Sequence, residues 1–272
     1  MQHAYLDELR QKADLLMLSL VCVMVLLALG IAMGTGMWGS FLAIGLPTLA
    51  ACVAQVVLNR GALFSRLTIA GAFMVLSALV IHQTHGMIEM HFCIFVLLAM
   101  LLYYRDWIPV VFAAVLIAIH HLLFDYLQRQ GLPIWVFAQD TGYHIVLIHA
   151  AFVIAETVIL VLMARNLQRE VELVGASPAR LIDVARKLAQ GESADTRRLG
   201  RVPADSIADA VVRSAEAIET SLTEVDEVVG SIANGDFTKR VEIAGKQGLH
   251  AHIASSVNAS CEQLEQVLGA TT

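Results

Sequence analysis

Ten histidines occur in this 272-residue chain, and seven of them fall in one stretch: His82, His85, His91, His120, His121, His144 and His149. Carboxylates accompany them. Glu89 lies between His85 and His91, Asp125 follows His121 by four residues, and Glu156 follows His149 by seven. Offsets of four and seven return to the same face of a helix, so Asp125 and Glu156 share faces with histidines. Imidazole and carboxylate donors together suit a transition-metal site of copper, zinc or iron. A carboxylate can also take the second ring N–H of a ligating histidine and so fix its tautomer. Glu89, Asp125 and Glu156 fit either role. A dinuclear site would use roughly six to eight nitrogen and oxygen ligands and so accounts for the whole set, with Glu89 or Asp125 completing it. Haem b needs only one or two axial imidazoles beside an apolar slot, for which His120, His121 or His149 would serve. A histidine network that responds to protonation without a cofactor is the remaining chemical reading. Met87 and Met90 could act as soft ligands for Cu(I), but they read more simply as apolar packing residues, as does Cys93.

The elements that position these groups follow from hydropathy. Hydrophobic residues make up 57% of the chain and charged ones 15%, with a mean hydropathy of +0.68, which is membrane-protein composition. A net charge of -6 and a pI near 5.9 exclude the basic stripe of a nucleic-acid binder. The cysteines, Cys22, Cys52, Cys93 and Cys261, are too far apart for a CxxC clamp and read as small apolar residues. Crossing the bilayer takes roughly 20 apolar residues, and six segments are candidates: Leu15 to Met33, Trp38 to Leu58, Leu67 to His85, Gly86 to Tyr104, Ile108 to Gln128, and Tyr143 to Ala164. The fourth also fits a re-entrant segment. The polar residues 1–14 form a cytoplasmic N-terminus, and the first span is expected to be retained rather than cleaved as a signal peptide.

Basic residues set the orientation. Arg10, Lys12, Arg60, Arg66, Arg105, Arg165 and Arg169 share one side if six spans alternate, and only Arg129 falls opposite. Both termini are therefore expected in the cytoplasm, with a longer outer loop from Arg129 to Gly142. Trp107, Trp135 and Tyr143 sit at span ends, where amphipathic rings favour the headgroup region. On this plan all seven histidines lie in the outer half of the bilayer. An isolated histidine there is more often a hydrogen-bonding residue between helices than a ligand. Seven at one depth on four consecutive helices point to a site.

Beyond the last span the pattern changes. Ser177-Pro178 reads as a cap followed by an N1 proline, Leu181, Val184 and Leu188 make a narrow apolar seam, and Gly191 stops the helix. A second seam runs through Ile207, Val211, Ser214, Ile218, Leu222, Val225, Val229 and Ile232. Seams this narrow call for a partner helix.

The run Pro178 to Gly191, the connector with Val202 and Pro203, and Asp205-Ser206-Ile207 opening a helix resemble a HAMP module, the parallel four-helix relay of bacterial receptors. Leu222 to Phe237 with Ile232-Ala233-Asn234-Gly235-Asp236-Phe237, then Val241 and Gly248-Leu249 through Val257-Asn258 to Leu264, resembles a second one. The first departs from the pattern at Ser206, where an acidic residue is usual. Tandem modules of this kind are typical of methyl-accepting chemotaxis transducers. The membrane half, with His85 to Phe92, Tyr104-Arg105-Asp106-Trp107 and His120 to Phe124, is similar to the multi-span regions that precede HAMP in such proteins. The resemblance implies a signal transducer rather than an enzyme, in the bacterial inner membrane and surrounded by lipid. It implies a homodimer joined through the relay, with Pro178, Leu181, Val184, Leu188, Ile207, Val211, Ile218 and Ile232 carrying the signal. The kinase-control hairpin of such transducers is expected outside this chain.

The expected fold is all-α. A six-helix transmembrane sensor occupies residues 15–164, and parallel coiled-coil, HAMP-like modules occupy 165–220 and 221–272. The rival class is a membrane metalloenzyme, a di-iron or copper oxidase. A transporter fits less well, lacking repeated broken helices.

Overall fold

The computed structural model describes residues 4–138 and 143–269, and no strand occurs among them. It forms two compact units that meet in sequence at Glu172 and Leu173. In the first, α1 is Ala4–Thr35 and α2 is Trp38–Asn59, followed by α3 (Leu63–Gln83), α4 (Ile88–Tyr104) and α5 (Trp107–Arg129). The next helix, α6, is Tyr143–Val174. Five of these six, all but α4, are long and apolar enough to cross a membrane.

The segment expected as a full fourth span is shorter. It begins as a 3₁₀ turn at Ile88–His91, is α-helical only over Phe92–Met100, and ends in another 3₁₀ turn at Leu101–Tyr104. His85 and Gly86 both have positive φ and form a turn outside any helix, which shortens the run from its N-terminal side.

Helix α1 already begins at Ala4, ahead of the apolar run, with Leu6, Ala13, Asp14 and Met17 buried. Within α2 a π-helical stretch, Phe41–Gly45, precedes Pro47. Proline offers no N–H to the preceding turn, and a wider turn there accommodates the missing bond. The tip of the loop before α6, residues 139–142, and the Tyr143 ring lie outside the description, so the expected anchoring by Tyr143 has no structural counterpart here.

At the centre, α3 packs against α1, α2, α4 and α5. In its most apolar stretch 67% of residues are buried, against 11% for α6, whose flanks are left for lipid or another helix. One end of the bundle is fastened by charge. Asp14, fully buried, accepts from Gly61 N at 2.6 Å, Ser65 Oγ at 2.8 Å and Tyr104 Oη at 2.8 Å. Asp106 caps α5 by accepting from Ile108 N at 3.0 Å, pairs with Arg66, and has Arg10 at 3.8 Å. Arg60 donates to Gln11 O at 2.8 Å, and the Arg165 guanidinium lies over the Trp107 ring at 5.1 Å. The motif Tyr104-Arg105-Asp106-Trp107 is thus a corner in which three side chains reach other helices while Arg105, at φ 51°, makes the turn.

In the second unit, α7 is Pro178–Ala189, α8 is Ile207–Ala233 and α9 is Gly248–Gly269. Leu181 and Val184 are buried with Ala176, Leu199 and Ala208, and Leu188 and Val211 pack against that cluster. Ser206 caps α8 by accepting from Asp209 N at 3.1 Å. Gly175 has φ +81°, and a Cβ there would stand 2.4 Å from Ser206 Oγ. Asn258 satisfies both backbone groups of Val241, accepting from its N at 2.8 Å and donating to its O at 2.9 Å. Val228, Val241, Ala254 and Cys261 form the small core beside it, with Ile232 packed on it. Ile207, Leu222 and Val229 stay exposed within the single chain.

Two stability effects follow. Tyr104→Phe removes a bond to a buried carboxylate and is expected to lower stability by about 2 kcal/mol. Asn258→Leu leaves a backbone N–H and C=O unpaired and is expected to cost about 2 kcal/mol in the second unit. Chemical unfolding of the protein in nanodiscs, followed by circular dichroism and by proteolysis of the second unit, measures both. An unchanged midpoint would refute either assignment.

Candidate functional site

At the bundle end opposite the charged corner, three of the seven histidines converge. The His91 ring lies 5.4 Å from that of His121 and 5.5 Å from that of His149, centroid to centroid. They come from the first turn of α4, the later half of α5 and the early part of α6.

Each ring is held in the same way. Nδ1 lies against the carbonyl four residues earlier on its own helix: Met87 O at 3.2 Å for His91, Ile117 O at 3.0 Å for His121, and Ile145 O at 3.0 Å for His149. A carbonyl only accepts, so Nδ1 is the protonated nitrogen in each. In a neutral ring so held, Nε2 keeps its lone pair and points away from its own helix. The carbonyls of Ile88 and Val136 lie near the His91 ring but miss hydrogen-bonding geometry, and His91 Nε2 is buried without a partner. A histidine that ligates a metal is arranged this way, one nitrogen tied to a backbone carbonyl and the other free.

The three rings border a cavity of about 250 Å³ among α4, α5 and α6. Its walls are otherwise almost entirely aliphatic, including Ile94, Ala114, Ala118, Val146 and Val153. Thr157, also in the wall, spends its hydroxyl on Val153 O at 2.6 Å. The histidine nitrogens are therefore the polar feature of the cavity.

A fourth ring completes the cluster. Phe137 stacks on His91 at 5.4 Å with 9° between the planes, and lies 6.2 Å from His121 and 5.7 Å from His149. Among the described residues no three His, Cys, Asp or Glu side chains have the mutual geometry of metal ligands, and Phe137 packs against all three imidazoles of the triad.

The segment that carries Phe137 is clamped from several sides. Gln128 donates to Phe137 O at 2.7 Å and accepts from Val136 N at 2.8 Å and Phe137 N at 3.3 Å. His82 Nδ1 accepts from Trp135 N at 3.2 Å. Gly86, at φ +79°, approaches so closely that a Cβ would fall 2.3 Å from the Phe137 carbonyl carbon.

The other expected ligands lie outside the cavity wall. His82 serves the 135–138 segment, His85 is exposed and packs on Trp135 at 5.2 Å, and His144 is exposed. His120 lies 5.4 Å from the His121 ring and stacks on Phe124 at 4.2 Å, with its buried Nδ1 unpartnered. Glu89 is exposed. Asp125 is engaged by the Arg129 guanidinium at 2.8 Å rather than by His121. Glu156 keeps a buried, unpartnered Oε2 on α6. Phe137 and Gln128 were not anticipated. The visible signal was Ile134-Trp135-Val136-Phe137, an apolar run inside a supposed outer loop.

No protein-family model, curated protein or solved structure matches this chain.

Gln128→Leu is expected to release the segment. Amide exchange at Val136 and Phe137 should rise by roughly ten-fold or more, the two bonds to Gln128 Oε1 being lost. Hydrogen–deuterium exchange with mass spectrometry reads this directly, and unchanged protection would overturn the clamp.

Proposed function

We propose that the chain is the sensory and relay part of a bacterial membrane signal transducer, with its stimulus site at His91, His121 and His149. The observation that carries this reading is the repeated arrangement of the three imidazoles, each with Nδ1 committed to its own helix and each bordering one apolar cavity. Such a set favours a bound transition-metal ion, copper, zinc or iron. Closure of the three rings on an ion requires Phe137 to move aside, which supplies a change of conformation on binding. Haem fits less well, because a cavity of about 250 Å³ is too small for a porphyrin.

The direction of signalling follows from α6. It carries His149 in its early turns and runs unbroken to Val174, so a displacement at the cluster changes the position or rotation of a single helix. The relay beyond it is a pair of HAMP-like modules acting as a homodimer. Its exposed Ile207, Leu222 and Val229 supply the apolar face that a second chain would cover. A ligand shifts such a relay only by its differential affinity for the two states. The clustering of Arg10, Arg66 and Arg165 at one end of the bundle supports a cytoplasmic location for that end, in the inner membrane, and with it a position of the histidines toward the outer leaflet.

Elemental analysis and an optical spectrum through the Soret and visible region test the site. Detergent-purified protein is expected to hold about one transition-metal ion per chain. His91→Ala, His121→Ala and His149→Ala should each reduce this to below about a tenth, while His144→Ala leaves it intact. A Soret band lost in the triad variants would replace the ion by haem. Neither metal nor Soret band would sink both.

A further inference from the structure

The cavity has a property separate from metal ligation. Because each Nδ1–H is spent on a backbone carbonyl, the neutral triad presents lone pairs and no free N–H, and Thr157 has already donated its hydroxyl proton. The polar end of the chamber accepts hydrogen bonds and donates none. A ligand that brings only acceptors would set lone pair against lone pair, or force a tautomer change that breaks a bond to the helix. A ligand with a hydroxyl donor satisfies the buried Nε2 of His91, which otherwise has no partner.

Size and access narrow the class. An apolar cavity of roughly 150 Å³ accommodates benzene, so about 250 Å³ holds one substituted six-membered ring rather than a fused or extended system. The imidazoles and Phe95, which line it, offer aromatic surface to such a ring. Val115, Leu122, Ile154 and Val158 belong both to the cavity wall and to the exposed surface of apolar helices, so the chamber opens sideways toward the surrounding hydrocarbon. A ligand reaches it from the bilayer.

We infer that this cavity binds a lipid-soluble para-hydroquinone, its hydroxyl donating to Nε2 of the histidine triad, and discriminates against the corresponding quinone, whose carbonyls can only accept. The inference rests on the triad being the stimulus site but not on its holding a metal. It gives the transducer a readout of the reduced fraction of a membrane quinone pool by binding alone, with no electron transfer in the protein.

The test uses the full chain in nanodiscs, treated with chelator, checked for residual metal, and kept anaerobic. Radiolabelled decyl-hydroquinone and the matching decyl-quinone are titrated against protein-loaded and empty nanodiscs. Saturable hydroquinone binding at about one per chain is expected, at least about ten-fold tighter than quinone binding. It should be lost in Ala118→Phe, which fills the cavity, and weakened at least about ten-fold in His91→Phe. Circular dichroism and thermal unfolding confirm that both variants are folded. The wild-type preference alone keeps the inference exposed to refutation if either variant fails to fold. Equal affinity for the two redox forms, or uptake no greater than by empty nanodiscs, would overturn it. So would hydroquinone binding that returns only when metal is restored, since the ligand would then be held by the ion. The metal reading is judged separately by the ion content before chelation, so either can fail alone.

Discussion

A carboxylate in a bundle that excludes water has to collect its donors from the protein, and Asp14 collects three from three different places. Gly61 lies in the turn between α2 and α3, Ser65 begins α3, and Tyr104 ends α4. Beside it Asp106 starts α5 and holds Arg66 of α3. Unpaired buried charges are so costly that this arrangement fixes the helix ends relative to one another far more strictly than apolar contact does. Aliphatic side chains slide against each other with small penalties, whereas three hydrogen bonds to one carboxylate admit one register. With α1, α3, α4 and α5 pinned at this corner, the depth at which His91 and His121 emerge at the other end is determined.

The same shortage of water explains the form of the histidine cluster. In an aqueous cleft an imidazole can satisfy both nitrogens with solvent. Inside an apolar bundle the cheapest partner is the carbonyl one turn earlier on the same helix, and His91, His121 and His149 all take it. This choice costs the helix nothing, since a carbonyl has a second lone pair, and it leaves the other nitrogen of each ring uncommitted to its own helix. Chemical character therefore arises from a local rule repeated on three helices and from the tertiary packing that brings the three ends together.

Phe137 connects the cluster to movement. It lies on the segment between α5 and α6, held by Gln128, His82 and Gly86, and touches all three imidazoles. Anything that enters among the histidines competes with this ring for space. The segment leads in sequence to α6, the least buried of the long helices.

Much of this was legible in the chain itself. Hydropathy alone predicts the long apolar helices, because length and composition suffice for a segment that must satisfy its backbone internally. The helix at Pro178 and the stops at Gly175 and Gly191 follow from local backbone chemistry. Histidine spacing marks the region in which His91, His121 and His149 meet. Sequence could not divide the seven histidines into the three that border the cavity and the four that do not, because that depends on where His85 and Gly86 turn the chain and how far α4 is shortened. Nor could it reveal that Asp14 and Arg66, which read as ordinary flanking charges, are buried at the corner, or that a phenylalanine from a loop closes the cluster. Those outcomes belong to contacts between residues distant in sequence, whose energies depend on the register of whole helices rather than on the identity of any neighbour along the chain.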